Sequence, residues 1–340
     1  MKILYGIQAT GNGHITRARE LAPALKERGI EVDFLFSGRN KDEFFDMQDF
    51  GDYKVFRGLT FYMGSGAKVK LIDTFLKNSL TQLIRDIRAL DTSGYDLVIS
   101  DFEPITAWAA KLRGTRSLGI AHQYAFLYKL PDNNRALFLK YVVKLFAPVD
   151  EAVGVHWDHF GAPIVPPLIA APKYPVSTDT HSILVYLPYD ARDNLYRLFS
   201  RFSEYHFHVY TSIELVETRD NVTFHPLSRD LFERDLSKCA GVISNCGFGL
   251  ASESMQYGKK LLLQPMKGQA EQQSNAEILR ELGKATITDN LTPTVLAAWL
   301  ESESLNAVSY PAVARQLACW IEKGGVESPM ALAHRLWSGN

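Results

Sequence analysis

Residues 241–283 read GVISNCGFGLASESMQYGKKLLLQPMKGQAEQQSNAEILRELG. Two apolar runs, at 242–243 and 261–263, each lead through a polar turn or loop into a helical pattern. This order of strand, glycine turn, helix, strand, loop and helix predicts a right-handed crossover unit of a parallel sheet. In such sheets ligands bind at the carboxyl ends of the strands. We therefore expect this stretch to form a ligand site as well as part of a core.

The polar residues of this stretch suit a nucleotide that carries a sugar. A turn before the first helix consists of Ser244, Asn245, Cys246, Gly247 and Phe248. The backbone N–H groups of its last three residues are expected to face an anion from the helix start. Glu253, two turns into the helix, offers acceptor oxygens to the two hydroxyls of a ribose. Gln272 and Gln273 carry both donors and acceptors, as sugar hydroxyls require.

The stretch resembles the nucleotide-sugar box of the UDP-glycosyltransferase superfamily, which includes plant small-molecule glucosyltransferases and the bacterial enzyme that makes lipid II. The matching residues are Cys246-Gly247, Glu253, Gly258, Pro265, Gln272-Gln273 and Asn275-Ala276. The resemblance implies that residues 244–248 bind the donor diphosphate, that Glu253 binds the ribose, and that the loop Glu271–Gln273 binds the transferred sugar. The alternative is an ordinary βαβαβ core with a glycine turn.

The stretch also departs from the family pattern in two places. Asn245 stands where the plant enzymes have a phosphate-binding His. The loop at 266–271 is longer than theirs. Both departures bear on the identity of the sugar more than on the class of donor.

The amino end supplies a second candidate site. Residues 2–8 are predicted to form a buried strand, which the polar turn Gly11-Asn12-Gly13-His14 joins to a helix. The dinucleotide fingerprint G-x-G-x-x-G is incomplete because Thr16 stands in place of its third glycine, which disfavours NAD binding. His14 is predicted to be a general base, since the ordinary pKa of His lies near neutrality. The alternative is a His that caps or packs the helix.

The superfamily has its catalytic His at this place, in a Gly-His-x-x-Pro turn. Here Arg17 replaces the Pro. The variant G-x-G-H-x-x-R also resembles a UDP-sugar hydrolase of bacterial nonulosonic acid synthesis, which supplies a second functional hypothesis. The resemblance further implies that Gly13 helps to bind the donor diphosphate.

A base needs a group that orients it. Asp101 follows the predicted strand 95–100, and an Asp at the end of such a strand pairs with the His in the plant enzymes. By that resemblance Asp101 is the predicted partner of His14, with Glu103 as the second candidate. Alternatively, Asp101 is the N-cap of a helix that begins at Pro104.

The chain is long enough for two domains, since 340 residues exceed what one core usually supports. Strands are predicted at 2–8, 31–37, 95–100, 116–121, 151–156, 182–188, 205–211, 240–244 and 260–264. Helices are predicted at 14–28, 68–90, 104–112, 134–147, 191–202, 247–257, 270–282 and 309–337. This alternation indicates an α/β fold with parallel sheets. Five prolines at 161–181 predict an irregular hinge there.

Together with the resemblance, this pattern implies two Rossmann-like domains that face each other across a cleft, the architecture called GT-B. Residues 1–165 are assigned to an acceptor domain and 166–319 to a donor domain. The resemblance implies that a helix at about 320–340 packs back on the first domain.

Composition excludes several classes of function. A hydrophobic content of 46% and a net charge of −1 describe a globular protein without bulk attraction to nucleic acid. Three cysteines at no metal-ligand spacing indicate a reducing compartment and no zinc site. No secretory leader and no long apolar span is recognisable, so we expect a cytoplasmic protein.

The predicted helix at 134–147 carries Arg135, Lys140 and Lys144 and no acidic residue. A basic amphipathic helix suits contact with the inner face of a membrane, and lipid-acceptor members of the superfamily use their first domain in this way. The alternative is a buried helix whose lysines reach solvent from one edge.

These observations predict an inverting glycosyltransferase of the hexosyl type. The donor is expected to be a nucleoside-diphosphate sugar, taken as a UDP-sugar, and the acceptor is a hydroxyl of a glycan, a lipid-linked or a small molecule. No carboxylate pair accompanies the diphosphate turn, so we expect no metal and no further cofactor. The alternatives are a UDP-sugar hydrolase on the same scaffold and a non-catalytic nucleotide-sugar-binding protein.

Overall fold

The structure is a computed structural model that describes residues 1–44, 46–59, 79–131, 135–303 and 306–339. These residues form two compact units. The first contains the described residues up to 59, residues 79–169 and the segment from Tyr310 onward. The second is Ala170–Ser309. Part of the predicted helix at 68–90 lies outside the described residues.

The first unit is built on a parallel sheet. Its strands are β1 (Lys2–Gln8), β2 (Glu31–Ser37), β3 (Tyr53–Phe56), β4 (Leu97–Asp101), β5 (Ser117–Ala121), β6 (Glu151–Val155) and β7 (Ile164–Val165). Their order in the sheet is β3-β2-β1-β4-β5-β6-β7. The order reverses direction between β1 and β4, and such a switch point is where open parallel sheets bind ligands.

Helices cover this sheet. They are α1 (Asn12–Glu27), α2 (Leu80–Ala89), α3 (Pro104–Arg113) and α4 (Arg135–Phe146). Helix α3 packs closely on β1 because Gly6 has no side chain: a Cβ there would lie 2.0 Å from the hydroxyl of Thr106. The core between them contains Leu4, Val98 and Ile105, each fully buried.

The second unit repeats this plan with a second sheet. Its strands are β8 (Asp179–Tyr186), β9 (His206–Tyr210), β10 (Glu217–Arg219), β11 (Val222–His225), β12 (Cys239–Ser244), β13 (Lys260–Leu263) and β14 (Thr286–Ile287). The order is β10-β11-β9-β8-β12-β13-β14. The edge strand β10 is antiparallel to β11, and the other neighbours are parallel.

The helices of the second unit are α5 (Arg192–Phe199), α6 (Arg229–Lys238), α7 (Phe248–Gln256), α8 (Ala270–Glu281) and α9 (Pro293–Leu300). The chain then contributes α10 (Val313–Glu322) and α11 (Pro329–Ser338) to the first unit. There α10 contacts α1. The indole of Trp337 on α11 donates a hydrogen bond to the carbonyl of Ile164 on β7, at 2.8 Å.

The predicted α/β fold is confirmed, with differences in single elements. Each predicted strand is present, but the short strands β3, β7, β10, β11 and β14 and the helices α6 and α9 were not predicted. The predicted helix at 309–337 is two helices. The prediction of irregular structure at 161–181 is wrong for β7 and for the start of β8. Proline is tolerated beside β7 because β7 is an edge strand. None of the described helices is long and apolar enough to span a bilayer.

Candidate active site

The sheet of the first unit brings His14 and Asp101 together. Strands β1 and β4 are neighbours, and Ile7 pairs with Asp101 in their register. Helix α1 starts at Asn12, earlier than predicted, so His14 lies in its first turn. The Nδ1 atom of His14 is 2.7 Å from Oδ1 of Asp101. Asp101 is fully buried, whereas the His14 side chain keeps 13% of its surface exposed.

Arg17 is a third member of this group that the sequence did not predict. Its Nε donates to Oδ2 of Asp101 at 2.8 Å, and its Nη2 donates to Oδ1 at 2.5 Å. Burial opposes ionisation of Asp101, but the charges of Arg17 and His14 and their hydrogen bonds outweigh it, so the pKa of Asp101 is lowered. The signal was present in the sequence, because a residue three positions after His14 shares its helix face.

The hydrogen bond to Asp101 decides which nitrogen of His14 is basic. Nδ1 lies 2.7 Å from Asp101 Oδ1 and 3.1 Å from Arg17 Nη2. An ionised carboxylate only accepts hydrogen bonds, so we assign the ring proton to Nδ1. This tautomer leaves the lone pair on Nε2, the atom that can take a proton from a substrate hydroxyl.

The corner after β4 holds this geometry. Phe102 has a positive φ of 53°, which is rare for a bulky residue, and its ring stacks on the His14 ring at 6.5 Å. Glu103, rather than Asp101, is the N-cap of α3: its carboxylate accepts the N–H groups of Ile105 at 2.9 Å and Thr106 at 2.6 Å. The alternative role of Asp101 as N-cap is therefore wrong.

Glu103, the second candidate for a partner of His14, is fully buried. It also accepts a hydrogen bond from the hydroxyl of Ser37, at 2.7 Å. Burial raises the pKa of Glu103, although the hydrogen bonds from Thr106, Ser37 and Ile105 oppose that shift. Its contacts are those of a buried helix cap.

The predicted diphosphate turn lies at the carboxyl end of β12 in the second unit. Gly247, which has no side chain, is the N-cap of α7, so the positive end of the helix dipole lies at this turn. The expectation that the N–H of Gly247 faces an anion is wrong. The N–H of Gly247 donates to the carbonyl of Asn245 at 2.8 Å, within the turn, instead of facing an anion.

Two side-chain amides tie this turn to its neighbours, one from within the turn and one from α8. The side chain of Asn245 donates to the carbonyl of Gln264 after β13, at 3.0 Å. The side chain of Asn275 on α8 donates to the carbonyl of Cys246, also at 3.0 Å. Burial raises the pKa of the Cys246 thiol to about 12, so this residue is not an activated nucleophile. The turn is thus tied to both neighbouring elements.

The residues predicted to bind the ribose and the transferred sugar differ in their exposure. Glu253 on α7 is partly exposed, as are Glu271 and Gln273 on α8. Gln272 is only 8% exposed, and its Oε1 accepts the N–H of Met266 at 3.0 Å. The side chain of Gln272 therefore holds the loop before α8, a role that its place in the motif did not indicate.

Helix α4 has a buried and an exposed side. Leu139 and Val143 are buried, as the buried-helix alternative requires. Tyr141 and Leu145 are each 73% exposed, and Lys144 is exposed between them. These three residues define an exposed apolar and basic stripe, which we call the α4 stripe.

Comparison with solved structures shows the same fold in glycosyltransferases. The glycotransferase of kitacinnamycin shares 16% identity over 99% of this chain and 98% of its own, with a TM-score of 0.61. Arabidopsis thaliana UGT89C1, solved with UDP, shares 14% identity over 99% and 98%, with a TM-score of 0.57. Glycosyltransferase VinC, solved with DTDP, shares 16% over 99% and 98%, with a TM-score of 0.52. At these identities the likeness shows the fold.

A search of curated protein sequences gives no match. The family model described as Glycosyl transferase family 1 matches residues 1–302. That range includes the His14 group, the turn at 244–248 and the loop before α8. The chain therefore belongs to glycosyl transferase family 1 and is a glycosyltransferase of the GT-B fold.

Proposed function

We propose that this glycosyltransferase is an inverting enzyme in which His14 is the general base. The observation that carries the proposal is the 2.7 Å contact between His14 Nδ1 and Asp101, which leaves Nε2 as the basic atom. Nε2 takes the proton from an acceptor hydroxyl. The oxygen then attacks the anomeric carbon from the face opposite the diphosphate, so the C–O bond to the diphosphate breaks and the configuration inverts.

The second unit binds the donor in this proposal. The positive end of the α7 dipole, at the turn, stabilises the charge that develops on the leaving diphosphate. Gly13 and the turn at 244–248 are proposed to contact the diphosphate, Glu253 the ribose, and Glu271 and Gln273 the transferred sugar. The rigid ties of Asn245 and Asn275 support the turn, because a preorganised site needs no rearrangement during the reaction.

UDP is the proposed nucleotide. The resemblance of the donor box to UDP-dependent enzymes supports it, as does the UDP in the structure of UGT89C1. The DTDP in the structure of VinC makes dTDP the relevant competitor. Calorimetric titration with UDP and with dTDP distinguishes the two nucleotides. A lower dissociation constant for dTDP would overturn the choice of uracil as the nucleobase.

Incubation with UDP-sugars in the absence of an acceptor tests the reaction class. A transferase binds the donor tightly and hydrolyses it slowly, and an added acceptor then yields a product of inverted configuration. Rapid stoichiometric hydrolysis would instead support the second candidate, a UDP-sugar hydrolase, which the Arg17–Asp101 pair favours because Arg17 completes the G-x-G-H-x-x-R pattern. Binding without turnover under any acceptor would contradict both.

The donor assignment predicts that Glu253→Ala weakens UDP binding by about 1.5–3 kcal/mol, the range for a hydrogen bond to a charged group. Calorimetry measures the change. Glu281→Ala, an exposed glutamate on α8, is the matched control and should bind UDP like the parent protein. Unchanged UDP affinity in Glu253→Ala would show that Glu253 does not bind the ribose.

We also propose that the α4 stripe places the enzyme at an anionic membrane surface, where a lipid-linked acceptor would be presented. The 73% exposure of Tyr141 and Leu145 beside Lys144 supports this contact.

A further inference from the structure

A second group of polar side chains lies in the second unit, on the face of the sheet toward α6. His208 is in β9, His225 ends β11, and Asp235 is in α6. His208 Nδ1 is 3.1 Å from His225 Nε2 and 3.7 Å from Asp235 Oδ2. One ligand atom from each residue lies within 4.8 Å of the other two. The proposed sugar-transfer chemistry uses none of these residues.

These separations match those of ligands around one small metal ion. Two ligand atoms at about 2.0–2.1 Å from a tetrahedral zinc ion lie roughly 3.4 Å from each other. The distances of 3.1 and 3.7 Å fall on either side of that value. The three atoms lie within 4.8 Å of one another, so side-chain rotation is required to bring them to one ion, and a water molecule would complete four-coordination.

The surroundings favour metal ligation by these side chains. The hydroxyl of Tyr210 donates to Asp235 Oδ2 at 2.7 Å, and Arg234 donates to Oδ1 at 3.2 Å. Such outer hydrogen bonds orient a ligating carboxylate.

His225 is only 8% exposed, and its Nε2 is the atom that faces His208. Its Nδ1 is buried without a hydrogen-bond partner among the described residues. A metal ion on Nε2 would replace the contact with His208 and would leave Nδ1 as it is.

We propose that His208, His225 and Asp235 form a binding site for one divalent transition-metal ion of the zinc type. Two imidazole nitrogens and one carboxylate oxygen suit zinc, cobalt and nickel better than Mg²⁺ or Ca²⁺, which prefer oxygen ligands. The ion links β9, β11 and α6, so its role is structural. This proposal is independent of the proposed function.

Cobalt titration of the full-length chain tests the site. The tag-free protein is treated with EDTA, dialysed and titrated with Co²⁺, whose visible absorption reports four-coordinate binding, and Zn²⁺ is then added as a competitor. We expect one Co²⁺ per chain, displaced by one Zn²⁺. Zinc at about 100 times its dissociation constant should raise the melting temperature by several degrees.

Three variants test the ligands. His208→Gln and His225→Gln each remove one imidazole, and Asp235→Asn removes the carboxylate. His206→Gln is the matched control, since His206 lies on the same strand but bonds Thr223 at 2.9 Å outside the group. We expect the control to bind like the parent. The His208 and His225 variants should lose more than the roughly 10- to 100-fold in affinity that an outer hydrogen bond contributes.

Two results would overturn the proposal. One is a parent protein that shows no cobalt absorption at micromolar Co²⁺. This result does not depend on whether any variant folds. The other is unchanged affinity and stoichiometry in folded His208→Gln and His225→Gln, as judged by circular dichroism, because the metal would then bind elsewhere.

Discussion

Arg17 changes what Asp101 can do for His14. The guanidinium of Arg17 bonds both oxygens of Asp101 and compensates the charge of this buried carboxylate. Asp101 in turn fixes the His14 ring through its Nδ1 atom. The ring of Phe102 stacks on the His14 ring. In our proposal, this arrangement leaves Nε2 of His14 to take the proton of an acceptor hydroxyl.

His14→Ala tests that role directly. We expect the catalytic rate to fall by about 10²- to 10⁴-fold, the usual contribution of general-base catalysis. UDP affinity should stay nearly unchanged, because the substitution keeps Gly13 and the other proposed nucleotide ligands belong to the second unit. Steady-state kinetics and calorimetry measure the two effects. The control is His181→Ala, an exposed histidine outside the group. Normal turnover, or a failure to bind UDP, would mean that His14 is structural or a donor ligand.

Asp101 also predicts how stability depends on pH. Because its folded pKa is lowered, the unfolded chain binds more protons between that value and the ordinary Asp pKa of about 3.9. The stabilisation is complete above the ordinary pKa and is lost as pH falls through the folded one. Asp101→Asn leaves Arg17 buried without its charge partner, and should cost about 3–5 kcal/mol at pH 7.

Urea unfolding at several pH values measures this effect. The difference between the parent protein and Asp101→Asn should shrink below about pH 4, where Asp101 takes up a proton in the unfolded chain while it is still ionised in the folded protein. Asp289→Asn, at an exposed position, is the control and should show no such trend. A difference that stays constant down to pH 3 would contradict an ionised Asp101 in the folded protein.

At the residue scale, the sequence predicted that His14 and Asp101 meet, but it did not predict all the contacts of the site residues. Asp101 was paired with His14 by resemblance to the plant enzymes, and the 2.7 Å contact between the two side chains agrees with that pairing. Arg17 departs from the family motif and shares the helix face of His14, but one sequence does not show which charge an acid will bind. Gln272 was predicted to face a sugar, yet its carboxamide holds the loop at Met266. Motif position does not reveal which way a polar side chain turns.

At the scale of elements, long periodic segments were predictable and short ones were not. Strands β1 and β12 have continuous apolar runs that make them recognisable. Strand β10 has three residues and little apolar content, and its pairing with β11 depends on tertiary contact. Helix α6 carries seven charged or polar residues in its ten, so its pattern in the sequence is weak.

The α4 stripe yields a prediction for a whole helix. The full chain should co-sediment with vesicles that contain anionic lipid, and added salt should weaken this binding because it screens Lys144. Leu145→Asp should reduce the binding by about tenfold or more, since burying a leucine contributes about 1.5–3 kcal/mol. The matched control is Leu112→Asp, at another exposed leucine. Equal binding of the two variants would exclude the stripe as the contact.

At the scale of the molecule, the two units have similar sheets but different chemistry at their carboxyl edges. The first offers a buried acid, a base and an arginine; the second offers a helix start and a fixed turn. Our proposal assigns the base to the first edge and the diphosphate to the second, because a base must be partly exposed whereas a diphosphate needs positive dipoles. Both edges could be located from the sequence, since each follows an apolar strand and a glycine turn.

Independence of the transfer reaction from metal is a property expected of the whole chain. If the start of α7 alone stabilises the leaving diphosphate, EDTA added at the start of the assay should leave the initial rate unchanged. Within the described part of the chain, the group suited to a metal ion is His208, His225 and Asp235, which is distinct from the turn at 244–248. Removing metal from that group should lower the melting temperature without changing the early rate. Activity abolished by EDTA and restored by Mg²⁺ or Mn²⁺ would contradict a metal-independent transfer, because an imidazole-rich site prefers zinc-type ions to Mg²⁺.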